Sequence, residues 1–220
     1  PGGQIAQVRS GPREGRTVAG IRRHGYHDRS DAGRALAGAL SRYRGQPGLL
    51  VIGLARGGVP VAAEVAAALN APLDVAVVRK LGVPGHEELA LGAISDLHMT
   101  VNDALLRSQG VSAAALDAVI DREHQELRRR SAAYRVGRRA AEVTGRTVIL
   151  VDDGLATGAT MRVAVRDMQA RGAAAVIVAV PTAPRSAARE FAGVSDDFVC
   201  PYTPEPFGAV GMFYRHFPQV

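Results

Sequence analysis

Two adjacent carboxylates, Asp152 and Asp153, stand directly after an unbroken apolar run, residues 148–151. They lead into Gly154-Leu155-Ala156-Thr157-Gly158-Ala159-Thr160 and then an Ala-rich amphipathic segment. The apolar run reads as a buried strand and the segment after the loop as a helix. Carboxylates accept hydrogen bonds from vicinal hydroxyls. A loop of small residues at a helix start can aim its N–H groups at an anion, which the partial positive charge of the helix end also attracts. Adjacent carboxylates repel each other, a cost that hydroxyl donors or a cation would relieve. A plain strand–turn–helix with solvent-facing acids does not explain the Thr-Gly-Ala-Thr that follows them.

A second turn of the same kind occurs at Gly53-Leu54-Ala55-Arg56-Gly57-Gly58. Gly57 and Gly58 permit close approach to a ligand, and Arg56 offers a planar fork for phosphate oxygens. An ordinary turn with an exposed arginine is the competing reading. Arg79-Lys80 closes a further apolar run, where two basic residues either reach an anion or snorkel to solvent. His86, Glu87 and Glu88 follow, and His86 is a candidate acid or base.

These elements imply a scaffold. Apolar strands over 49–54, 73–78, 147–151, 174–180 and 198–200 alternate with helices over 32–43, 60–69, 161–171 and 184–191. That alternation predicts an α/β fold with a mostly parallel twisted sheet and helices on both faces. Ser30-Asp31 is placed to cap the first helix. Residues 81–89 read as a loop, 91–94 and 98–101 as a short hairpin, and 112–139 as a long charged helix. Residues 1–20 read as a flexible lead-in, 21–200 as the α/β domain, and 201–220 as an irregular, aromatic-rich tail.

Composition sets bounds. Of 220 residues, 47% are hydrophobic, enough for a substantial core, and the net charge of +6 suits an anionic small ligand or nucleic acid alike. The single cysteine, Cys200, excludes an intrachain disulfide and any multi-cysteine metal site, and fits a reducing cytoplasm. No apolar run is long enough to span a membrane. The start, Pro1-Gly2-Gly3-Gln4, lacks an initiator methionine and the features of a signal peptide, fitting a processed end or an internal piece. Arg128, Arg129 and Arg130, with Arg135, Arg138 and Arg139, suggest nucleic acid. Asp121, Glu123 and Glu126 interleave with them at helical spacing, however, and favour an ion-paired face.

The run over 148–160 resembles the 5-phosphoribosyl-1-pyrophosphate binding loop of the type I phosphoribosyltransferase family: a hydrophobic run, two acids and a Thr-Gly-x-Thr ending. The resemblance extends over about residues 49–181. Together with the Leu-Ala-Arg-Gly-Gly turn and the Pro-Glu-Pro-Phe tail, it is similar to a bacterial subgroup of undefined acceptor. Some members of that subgroup are fused to hydrolase or esterase domains.

The resemblance implies that Asp152 and Asp153 hold the ribose hydroxyls and that Gly154, Ala156, Thr157, Gly158, Ala159 and Thr160 bind the 5′-phosphate. It implies that Arg56, Gly57, Gly58 and Lys80 serve the pyrophosphate, with a strained or cis peptide in the first loop, and that Mg2+ is held indirectly through Asp152 and Asp153. It further implies a flap after Lys80 and a hood in the tail that selects the acceptor, with Glu205, Phe207 and Tyr214 as candidates and Phe213 as a further stacking surface. The competing reading is that these rings seal the tail to the core. The implied activity is pentosyl transfer to a nitrogen base or amine in nucleotide metabolism or salvage, by a cytoplasmic homodimer that binds neither membrane nor nucleic acid. A sensor binding the same sugar pyrophosphate or a nucleotide without turnover is the alternative, and RNA binding through the arginine-rich helix a third.

Overall fold

The computed structural model describes residues 25–134 and 139–220, leaving out the side chains of Glu87 and Glu88. The lead-in, Arg22, Arg23, Arg135 and Arg138 lie outside the described residues. The elements are α1 (Arg29–Ala39), β1 (Leu49–Ala55), α2 (Gly58–Leu69), β2 (Leu73–Val77), β3 (Arg79–Val83), β4 (His86–Ile94) and β5 (Met99–Val101). There follow α3 (Asp103–Ser108), α4 (Ala113–Tyr134), β6 (Thr147–Val151), α5 (Ala159–Ala170), β7 (Ala175–Ala179), α6 (Ala187–Phe191) and β8 (Asp197–Val199).

Five strands form a parallel sheet in the order β2-β1-β6-β7-β8. Strand side chains alternate between faces, and both faces are apolar. Leu50, Ile52, Val148, Leu150, Val176 and Val178 pack with α5 and α6. Leu49, Val51, Ile149, Val151, Ile177 and Ala179 pack with α1 and α2. Burying each large aliphatic side chain is worth about 1.5–3 kcal/mol, so a continuous apolar strand is stable only between two helical layers. The parallel α/β expectation therefore holds. Among the described residues, no helix is long and apolar enough to cross a membrane.

The expected loop over 81–89 is instead part of a second, antiparallel sheet, β3-β4-β5. Its glycines and proline fall where a hairpin needs them. Gly82 sits at a register shift between β3 and β4, and Gly85 takes φ 79° in the turn. Leu81, Val83, Leu91 and Ile94 pack against Val119 and Leu127 of α4, so this sheet has its own small core. The expected hairpin over 91–94 and 98–101 is β4–β5. The short α3 was not expected; Asn102 caps it by accepting from Leu105 N at 3.1 Å.

The first helix also starts earlier than expected, at Arg29 rather than Ala32. Asp28 is the cap, its Oδ1 accepting Asp31 N at 2.8 Å, while Asp31 Oδ2 accepts His27 N at 3.0 Å. This reciprocal arrangement satisfies two exposed backbone donors, and it leaves Arg29 in the first turn.

Candidate functional site

The carboxyl ends of β1 and β6 lie side by side, with Gly53 paired to Val151, and their loops meet there. The Ala55–Arg56 peptide is cis. Arg56 is exposed, and its carbonyl accepts Val59 N at 3.2 Å. The two glycines after it are sterically required. A methyl group on Gly57 would lie 2.1 Å from Asp153 Oδ2, and one on Gly58 2.5 Å from the Val151 carbonyl oxygen.

Asp152 and Asp153 follow β6, both half-buried. Asp152 Oδ1 accepts the Asp153 amide at 2.9 Å. Asp153 Oδ2 receives both Nε and Nη2 of Arg29 at 2.8 Å. Among the described residues, these bonds commit one oxygen of each carboxylate and leave Asp152 Oδ2 and Asp153 Oδ1 as acceptors. Burial and the neighbouring Asp153 charge push the Asp152 carboxyl up to about 8, against the opposing pull of the Asp153 amide, Lys80 and Arg29. Burial also raises Asp153, opposed by its bond to Arg29. Lys80 is exposed and close enough for its charge to act on Asp152.

Arg79 is turned elsewhere. Successive strand residues point to opposite faces, and Arg79 donates to the buried Glu123 of α4 through Nε at 2.9 Å, with Nη2 at 2.7 Å. His86 is exposed at the start of β4. On α4, Arg129 and Arg130 both pair with Glu126, the ion-paired face that the interleaved charges imply.

The loop after Asp153 is anchored at Leu155, whose amide donates to the Thr182 carbonyl at 2.9 Å. Ala156 and Thr157 are exposed. Gly158 takes φ 71° as the residue before α5, a conformation that favours glycine. The helical ladder begins with Arg162 N to Gly158 O at 2.9 Å. The amides of Ala159, Thr160 and Met161 therefore precede it, as at any helix start. The uncommitted N–H groups of a helix start thus lie a few residues beyond the two carboxylates, a place suited to a phosphate group.

The tail closes one side. Gly154 abuts Val210, where a methyl group would come within 2.4 Å of Val210 Cγ1. Tyr214 is buried, its ring lies 5.7 Å from Tyr26 and 4.8 Å from Phe217, and its hydroxyl donates to the Asp153 carbonyl. It thus packs the tail onto the site loop. Phe207 and Phe213 have ring centroids 4.9 Å apart, and Glu205 is an exposed partner of Arg185 at 3.5 Å. The buried hydroxyl of Thr182 has no hydrogen-bond partner among the described residues. By sequence alone Arg22, Arg23 and Arg29 are basic residues ahead of the first helix that could face an anionic ligand; of these Arg29 is the one within the described residues. The anion it meets is Asp153, 124 positions away.

Comparisons with known proteins identify the family. Residues 25–199 match the family described as phosphoribosyl transferase domain. The chain is 50% identical over 195 residues to proteins from two strains of Mycobacterium tuberculosis, CDC 1551 / Oshkosh and H37Rv, each provisionally named phosphoribosyl transferase. The match covers 88% of this chain and 44% of those relatives, so the chain spans under half their length. The crystal structure of TT1426 from Thermus thermophilus superposes with a TM-score of 0.72 at 40% identity, covering 89% of this chain and 93% of that one. The chain belongs to the phosphoribosyl transferase domain family.

Proposed function

We propose that this domain binds 5-phosphoribosyl-1-pyrophosphate and transfers its ribose 5-phosphate group to a nitrogen base or amine, releasing pyrophosphate. One observation carries the reading: two carboxylates, each with one oxygen committed inside the protein and one left to accept, stand before an open helix start. In this reading Asp152 and Asp153 accept the 2′- and 3′-hydroxyls. The 5′-phosphate takes the amides of residues 156–160 and the end of α5. Arg56 and Lys80 face the pyrophosphate, whose negative charge grows as the C1–O bond breaks and the C1–N bond forms. The positive charge then developing on the sugar ring lies beside the carboxylate pair.

The residues fit magnesium held indirectly. Among the described residues no group of three Asp, Glu, His or Cys side chains is placed to bind a metal ion. Mg2+ commonly keeps several waters and shares one or two carboxylates with substrate phosphates. Asp152 and Asp153 would hold it in that way, and when bound it would neutralise leaving-group charge. The mobile flap inferred from the resemblance would correspond to the β3–β4 hairpin, excluding water that competes for the activated ribose. The cytoplasmic, dimeric assignment stays part of this proposal.

The test joins binding to turnover. The sugar pyrophosphate with magnesium should raise the melting temperature by several degrees, and Asp152→Asn with Asp153→Asn should abolish the rise. A screen for pyrophosphate release over purines, pyrimidines and small amines should find an acceptor. Binding without release from any acceptor would support the sensor instead, and an unchanged melting temperature at saturating ligand would sink both.

A further inference from the structure

Arg29 occupies a position that the helix itself does not favour. It lies in the first turn of α1, where the helix dipole disfavours a cation. It is nonetheless only 9% exposed, and all three nitrogens of its guanidinium are engaged. Nε and Nη2 share Asp153 Oδ2, Nη1 donates to the Pro218 carbonyl at 2.8 Å, and the plane lies 3.9 Å from the Phe217 ring centroid.

The backbone that delivers it is equally fixed. Tyr26 N donates to Phe213 O at 2.8 Å, Arg215 N to Tyr26 O at 2.9 Å, and His216 N to His27 O at 2.8 Å. Gly25 must be glycine at this junction, because a methyl group would lie 2.3 Å from Phe213 O. Residues 26–27 and 213–216 thus run side by side around an isolated parallel bridge between Tyr26 and Tyr214, just ahead of Arg29.

Resting on the function proposed above, we propose that Arg29 is a positioning residue for sugar recognition: by gripping Asp153 Oδ2 against Gly57 it fixes the carboxylate's rotation and presents Oδ1 to a ribose hydroxyl. A carboxylate free to rotate would lose orientation on binding, and two repelling acids without this cation would turn apart. The phosphate cradle at residues 156–160 uses backbone amides and does not depend on Arg29.

The experiment compares two probes, ribose 5-phosphate and its analogue lacking both ring hydroxyls, by calorimetric titration. Arg29→Gln should weaken ribose 5-phosphate about tenfold, the scale of one lost charge-assisted contact, and leave the analogue unchanged. Arg29→Lys should recover part of the loss. Phe217→Ala, which leaves the Arg29–Asp153 pair intact, should weaken ribose 5-phosphate less than Arg29→Gln and keeps the test open should the latter not fold. Equal loss for both probes from either variant, or no loss for ribose 5-phosphate, overturns the positioning role. Failure of the unaltered chain to bind either probe would overturn the sugar-phosphate reading itself, a result distinct from both.

Discussion

At the residue scale, the site is defined by what each carboxylate oxygen already holds. Asp152 is the more exposed to protonation, its carboxyl pushed up to about 8 by burial and by Asp153. An unfolded aspartate titrates near about 4, so between these values the folded chain holds a proton that the unfolded chain releases. The stabilising contribution is complete below the ordinary carboxylate value and disappears as pH rises through about 8. The melting temperature of the ligand-free chain should fall between about pH 4 and pH 8 and level off above that, and Asp152→Asn should flatten that fall. An unaltered slope in the variant would show that the charge on this residue is not being suppressed.

The acid pair and the two glycine loops were legible from sequence because they are local patterns: strand, charged step, small-residue turn. Arg29 was not, because its partner is 124 positions away and nothing nearby marks it except a basic residue in a first helical turn. Tyr214 poses the same difficulty. An aromatic residue in a tail fits a stacking platform or a seal equally well, until its hydroxyl is seen to bond the Asp153 carbonyl.

At the element scale, the parallel sheet was readable because a strand buried on both faces has no polar alternation to confuse it. The β3–β4 hairpin was not. Gly82, Pro84 and Gly85 are loop signals in general, but here they mark a bulge and a turn inside a paired structure. The hairpin is fastened to α4 through Arg79 and the buried Glu123, which Arg122 also approaches at 3.3 Å. Glu123→Ala would strand Arg79 and should cost about 1.5–3 kcal/mol, the range for hydrogen bonds to charged groups, seen as a lower denaturant midpoint with an unchanged slope. A loss below about 0.5 kcal/mol would mean that the pair behaves as an exposed one.

At the scale of the whole molecule, the tail is joined to the site by the Tyr26–Tyr214 bridge, by the Tyr214 hydroxyl on the Asp153 carbonyl and by a tight packing contact. Gly154 touches Val210. Gly154→Ala should loosen the tail and speed tryptic cleavage after the exposed Arg215, and Gly154→Ala combined with Val210→Ala should restore resistance by making room for the new methyl group. If the double variant stays as sensitive as the single one, a methyl group at position 154 does not collide with Val210 in the way described. The tail's sequence disclosed its aromatic character but not this docking, which depends on residues more than fifty positions apart.

The root of the hairpin carries a mechanical consequence. β2 belongs to the rigid five-stranded sheet and β3 to the small one, with only Val78 between them. A lever pivoting at that residue moves each point in proportion to its distance from the fulcrum. At about 3.3 Å per strand residue, Lys80 lies near that root and Gly85 at the far end, so a tilt of the small sheet together with the α4 it packs on would displace the tip far more than the lysine near Asp152.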